Sequence, residues 1–154
     1  MTSKSKSSPR SPCAISNVLD IFGDKWTLLV VRDLIFHGKH EYKEFLSSPE
    51  GIATNILSDR LKRLLKAGVV EEIAHPENKS RKLYYLTKKG KALLPVLKEM
   101  LLWGEKFLPE RTEVMKPVYA RLASDGDSFG REILRQLRAW EKEYLPSKEE
   151  EDSF

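Results

Sequence analysis

The chain has a single cysteine, so no disulfide can close within it, and a reducing cytoplasm is the expected setting. No apolar run approaches the roughly 20 residues that span a bilayer. The richest run, KWTLLVVRDLIF, is interrupted by Arg32 and Asp33. The opening MTSKSKSSPRSP lacks the apolar stretch of a secretory signal, and residues 1–11 read as a flexible basic tail. Catalytic patterns are missing too. His37, His40 and His75 do not recur at metal-ligand spacings, no serine or cysteine motif marks a nucleophile, and the glycines form no phosphate loop. No metal site, cofactor or enzymatic activity is expected, and no membrane partner.

What is present is a chain of 154 residues, 40% apolar with three tryptophans, long enough for one domain with a real core. Its net charge of +4 is modest, but the distribution is uneven. Residues 38–91 hold 12 Lys/Arg against 7 Asp/Glu, whereas residues 105–154 hold 9 against 12. A basic middle is the electrostatic footprint expected of a phosphate-binding surface. A lysine-rich solvated surface would read the same way on charge alone.

The most informative stretch runs from Gly51 to Thr87. In GIATNILSDRLKRLLKAGVVEEI, the residues Leu57, Leu61, Leu64 and Leu65 fall on one stripe of a helix. Asn55, Asp59, Lys62, Arg63 and Lys66 gather on the opposite face. Gly68 supplies the stop, because glycine alone takes the left-handed position after a helix without cost. VVEEIAH and RKLYYLT, separated by PENKS, then read as two strands around a polar turn. A helix with a polar, partly basic outer face followed by a basic-tipped hairpin suggests a winged helix that binds DNA.

In chain order, Pro12 to Phe22 predicts a first helix, with Ile15, Val18, Leu19 and Phe22 at helical spacing. Gly23 breaks it and Asp24 can cap the next, nearly all-apolar helix, which should be central. Tyr42, Phe45 and Leu46 mark a short amphipathic helix, ended near Ser47, Ser48 and Pro49. Two helices joined through a turn with a glycine are the parts of a helix-turn-helix. After the hairpin, one long helix from Thr87 as N-cap to about Leu108 is expected, with Pro95 tolerable only near its first turns. Its apolar residues cover more than one face, and the surplus argues for a partner chain. Beyond it, Val114, Val118, Tyr119 and Leu122 suggest a short helix, DGDSFG a turn cluster, and Phe129 to Tyr144 a final amphipathic helix. SKEEEDSF closes the chain as an acidic, disordered tail.

CAISNVLDIFGDKWTLLVVRDL, GIATNILSDRLKRLLKAGVVE and YYLTKKGKALLPVL, in this order and spacing, resemble the HxlR-type regulators, bacterial relatives of the MarR group. The resemblance covers roughly Cys13 to Gly104. It implies a mainly α, dimeric winged helix-turn-helix over residues 12–104, with a small β-hairpin wing. Outside that shared core, the residues themselves read as a C-terminal helical extension over 105–145, serving dimerisation or a ligand, and the acidic tail 146–154. The resemblance also implies a cytoplasmic homodimer that binds double-stranded DNA at inverted repeats, with an effector of unknown chemistry. By position, the recognition helix would present Thr54, Asn55, Ser58, Asp59, Lys62 and Arg63 to DNA, and the wing Lys79, Ser80, Arg81 and Lys82.

Arg63 suits guanine or phosphate and Asn55 suits adenine, whereas Lys62, Lys79 and Lys82 suit the backbone. Asp59 would accept from a cytosine or orient a basic neighbour, and Arg60 is read as a salt bridge or a DNA contact. Ala53 stands where the family commonly has serine, leaving Thr54 as the nearest cap. Cys13 falls where some family members sense oxidants; the alternative is a small buried residue. Trp26 and Trp103 read as core or dimer contacts, with room for a small apolar effector between them. Two other functions stay open: a winged-helix module for protein–protein assembly, and a redox or electrophile sensor acting through Cys13.

Overall fold

The computed structural model describes residues 10–111 and 113–146; the terminal tails read from the sequence lie almost wholly outside them. Among the described residues, seven α-helices and one hairpin follow in order: α1 (Ala14–Phe22), α2 (Thr27–Phe36), α3 (Tyr42–Leu46), α4 (Thr54–Lys66), β1 (Val70–Ala74), β2 (Lys82–Leu86), α5 (Lys88–Lys91), α6 (Leu94–Phe107) and α7 (Lys116–Tyr144), with two short 3-10 turns between the last two. The fold is a winged helix-turn-helix, mainly helical, with additional C-terminal helices. No helix among the described residues is long and apolar enough to cross a membrane.

The centre is α2, as its nearly uniform apolar sequence predicts: Val30, Val31, Leu34 and Ile35 are all buried. Asp24 fixes its start, accepting from the backbone N–H groups of Trp26 (3.1 Å) and Thr27 (3.2 Å). The cap position itself is Trp26, with no side-chain hydrogen bond of its own, so Asp24 holds the helix start from two residues earlier. Asp33, buried on the same helix, is satisfied by Arg32 (2.9 Å), by Lys39 (3.7 Å) and by the Ser48 hydroxyl, which ties α2 to the loop before α4.

Leu57, Leu61 and Leu64 of α4 pack on this core. At its C-terminus Gly68 takes φ +72°, its N–H bonds to Leu65 O (3.1 Å), and the N–H of Val69 bonds to Leu64 O (3.0 Å). This paired closure reverses the chain directly into β1. The strands pair antiparallel from Val70↔Leu86 to Ala74↔Lys82. Gly90 then lets α5 lie against the reversal, because a Cβ there would stand 2.2 Å from Val69 O.

Several expectations change. The first helix begins at Ala14 rather than Pro12. Thr54 is not the cap of α4: the cap position is Ala53, with no side-chain hydrogen bond, and Thr54 is the first helical residue. Thr87 does cap a helix, accepting from Gly90 N–H (3.1 Å), but that helix is the four-residue α5. The long helix is thus two, since Pro95 cannot sit in a continuous interior and instead occupies the first turn of α6. The expected turn at DGDSFG is present but short: a one-residue break that joins two helical halves into the bent α7. Asp125 (φ −158°, ψ 84°) leaves helical geometry and its carboxylate accepts from Ser128 N–H (3.0 Å), capping the second half. Leu122, Phe129, Ile133 and Leu137 of α7 join the same core as α2 and α4.

Candidate nucleic-acid interface

Burial of the leucine stripe aims the opposite side of α4 outward. Asn55, Asp59, Lys62, Arg63 and Lys66 are all exposed there, with Thr54 exposed at the helix start. Ser58 is set apart from them. It is half-buried, with its Oγ 3.0 Å from the Tyr42 hydroxyl, which also donates to Thr54 O (2.7 Å). Tyr42 thereby fastens α3 to the first turn of α4, fixing the angle between the two helices.

The charged side chains on α4 divide into two groups. Arg60 is largely covered and turns inward, bonding Asp24 (2.7 Å) and also pairing with Asp59. Burial alone would raise the Asp24 carboxyl, but hydrogen bonds from Thr27, Arg60 and the Trp26 N–H outweigh it and hold the pKa at about 2. Arg60 is therefore a strut between α4 and the start of α2. Arg63 is half exposed and rests 3.2 Å from Asp59, one turn away. Lys62 forms no salt bridge among the described residues and projects freely. Asp59 thus orients its basic neighbours.

The wing tip is ordered by its own polar groups. Asn78 Oδ1 accepts from Ser80 N–H (3.1 Å) and Oγ (2.6 Å), and Arg81 N–H returns to Asn78 O (2.9 Å). Lys79 and Ser80 are exposed at that tip. The other two wing residues are engaged: Arg81 pairs with Glu41 just before α3, and Lys82 lies 4.0 Å from Glu72 across the hairpin. Between α3 and the wing runs a groove of about 550 Å³ lined by Tyr42, Lys43, Ser80, Arg81 and Lys82. Sequence reasoning passed over Lys43 and Glu41. Lys43 could have been found as the exposed cation on the helix preceding the recognition helix; the Glu41–Arg81 pair spans 40 residues and leaves no local signal.

Behind the interface, His40 occupies the α2–α3 turn. Its Nδ1 lies 2.7 Å from Tyr84 O, and its ring stacks on Trp140 of α7 at 3.8 Å between centroids, with 9° between the planes. Burial pushes the imidazole below its usual range, with the Tyr84 carbonyl and Glu44 and Glu141 only partly opposing it. Lys91 and Glu141 (2.5 Å) brace the same junction.

Two other expectations are corrected. Cys13 is exposed at the cap position of α1, so it is not a buried packing residue in the single chain. Trp26 and Trp103 have separate settings among the described residues. Trp26 lines a shallow crevice with Phe45 and Ile52, while Trp103 is exposed beside Phe107, 5.1 Å between rings.

Comparison with known proteins is consistent with this geometry. The HxlR-like helix-turn-helix family model matches residues 21–112. An uncharacterized HTH-type transcriptional regulator of Bacillus subtilis, YvaP, is 36% identical over 90 residues, covering 58% of this chain and 82% of its own. The crystal structure of PA1607, a candidate transcription factor, superposes with a TM-score of 0.57 at 40% identity, over 64% of this chain and 67% of that one. The reduced form of the transcriptional regulator YodB from B. subtilis superposes with a TM-score of 0.52 at 29% identity, over 63% and 95%.

Proposed function

The chain belongs to the HxlR-like helix-turn-helix family of transcriptional regulators, and from that premise we propose that it acts in the cytoplasm as a homodimer reading an inverted-repeat operator. The observation that carries the reading is the outward face of α4. Asn55, Lys62 and Arg63 stand exposed together, on a helix whose other side is locked to the core. In the major groove, Arg63 can pair bidentately with guanine and Asn55 with adenine. Thr54, Lys62, Lys79 and Ser80 hold phosphates, with Lys43 added from α3. Asp59 keeps Arg63 extended, Ser58 fixes the helix angle through Tyr42, and Arg81 and Lys82 set the pose of the wing.

The dimer rests on a second observation. No residue of α1 is buried, and Ile15, Val18 and Leu19 face solvent. Val96, Met100, Trp103 and Phe107 of α6 do the same. Apolar faces on two helices are what a second copy would cover. Two recognition helices would then enter successive major grooves about 34–36 Å apart.

Selection from a randomised duplex pool at two salt concentrations, followed by sequencing, tests the reading. Enrichment of an inverted repeat with salt-sensitive affinity is expected. Salt-sensitive retention without any enriched sequence would leave a nonspecific DNA binder or one missing its effector, and no retention at low salt would replace the reading with the protein-assembly module. A redox reading is favoured by one feature, the exposed thiol of Cys13 at a helix start. With one cysteine per chain it requires an intersubunit or mixed disulfide, or alkylation. Operator release by mild peroxide that Cys13→Ser abolishes would establish it; unchanged thiol and unchanged affinity would end it.

A further inference from the structure

We propose that the groove between α6 and the bend of α7 binds an organic monocarboxylate with an apolar body. The groove has a volume of about 320 Å³, and its apolar walls are Leu94, Leu122 and Leu134. It exists because α7 bends at Asp125 and because Gly126 and Gly130 present no side chain to α6. A Cβ at Gly130 would meet only Leu94 Cδ2, at 3.9 Å, whereas one at Gly126 would stand 3.0 Å from Lys98 Nζ. Lys98 therefore reaches across the mouth from α6, and Arg131 lines it from α7.

Neither cation has a hydrogen bond or salt bridge among the described residues. Other cations of α7 do find partners: Lys116 pairs with Glu113, and Arg121 with Glu132. Asp127 is the acidic member of the rim and is exposed. Two cations against one anion leave a single positive charge beside leucine walls. A carboxylate on Lys98 and Arg131, with its hydrocarbon part on the leucines, satisfies both halves of the site. A phosphate would meet the charge and leave the leucines uncovered.

A second copy of this chain is not the occupant. At 3.6 residues per turn, Lys98 lies across α6 from the stripe of Val96, Met100, Trp103 and Phe107, so covering that stripe leaves the groove open. The second half of α7, which begins at the groove, carries Trp140 onto His40 in the helix-turn-helix. As an effector site the groove rests on the regulatory reading above; as a ligand site it does not.

Calorimetry on the full-length protein without DNA separates the two. Hexanoate and benzoate are the probes, with hexanamide and benzamide as neutral isosteres. One saturable site per chain is expected, with each amide weaker than its acid by about tenfold or more. A preference for hexanoate would mark a chain-shaped occupant, and one for benzoate a ring. Lys98→Met should weaken the acids by a similar factor, while Arg135→Met, outside the groove, leaves them unchanged. Gly130→Leu fills the groove on a helix it should not destabilise, and should abolish binding with the melting temperature retained. Acids and amides binding alike, Gly130→Leu binding like the parent, or no saturable heat at millimolar acid would each overturn the proposal.

Discussion

Arg60 and Arg63 lie three residues apart on α4 and share Asp59, but only Arg60 also reaches Asp24, and substitution should separate them. Arg63→Ala and Lys62→Ala are each expected to weaken binding to the selected operator by about 1–3 kcal/mol. The loss for Arg63 should fall mainly on one base pair, and that for Lys62 evenly across sequences. Anisotropy titrations on the operator and its single-base variants measure both, and unchanged affinity in a folded dimer would remove α4 from the interface. Arg60→Ala, by contrast, should leave base preference intact and lower stability by about 1 kcal/mol, because it cuts a strut rather than a contact. Its partner Asp24 titrates below an ordinary carboxyl, at about 2 against 3.8. The stability it supplies is therefore complete above about pH 4 and lost as pH falls through 2. Melting curves should show Asp24→Asn destabilised at pH 5, with the gap closing toward pH 2; a gap constant over that range would refute the linkage.

Among the elements, the wing is held by a contact that also limits it. Arg81 spends its charge on Glu41. Glu41→Gln keeps a polar group for the cap of α3 but releases the guanidinium, so the slope of log affinity against log salt should steepen by up to about 0.9. An unchanged slope would place Arg81 away from phosphates. Which elements were legible in the sequence follows from how local their causes are. The α4 stripe, Gly68, Asp24 at the start of α2 and the two strands each declare themselves within a few residues. Pro95 announced a helix start, yet the short α5 before it was hidden because Thr87 reads equally well as the cap of a longer helix. Asp125 was masked by the glycines around it, which signal a loop as readily as a bend. Glu41–Arg81 and His40–Trp140 were invisible: partners 40 and 100 residues apart meet only once the core has formed. The outward residues of α4 were legible as a set, and Arg60 at the edge of that face as a salt-bridge candidate, but its partner Asp24, 36 residues away, was not.

For the whole molecule, the test is the proposed dimer. Val18→Asp combined with Trp103→Glu places charge on both apolar helices without touching the buried core. The variant should sediment as a monomer, keep its helical content, and bind a half-site as weakly as the parent binds an isolated half-site. A variant that remains dimeric would move the interface elsewhere. Helix α1 gives this arrangement a consequence for the cell. Its Ile15, Val18 and Leu19 stay exposed in the single chain, so in the proposed dimer their burial depends on the meeting of two chains, and so on how many are made. Below the dimerisation constant, operator occupancy grows with the square of protomer number. Modest changes in synthesis or dilution at division would then shift operator occupancy more than proportionally, and copy number would become an input in its own right.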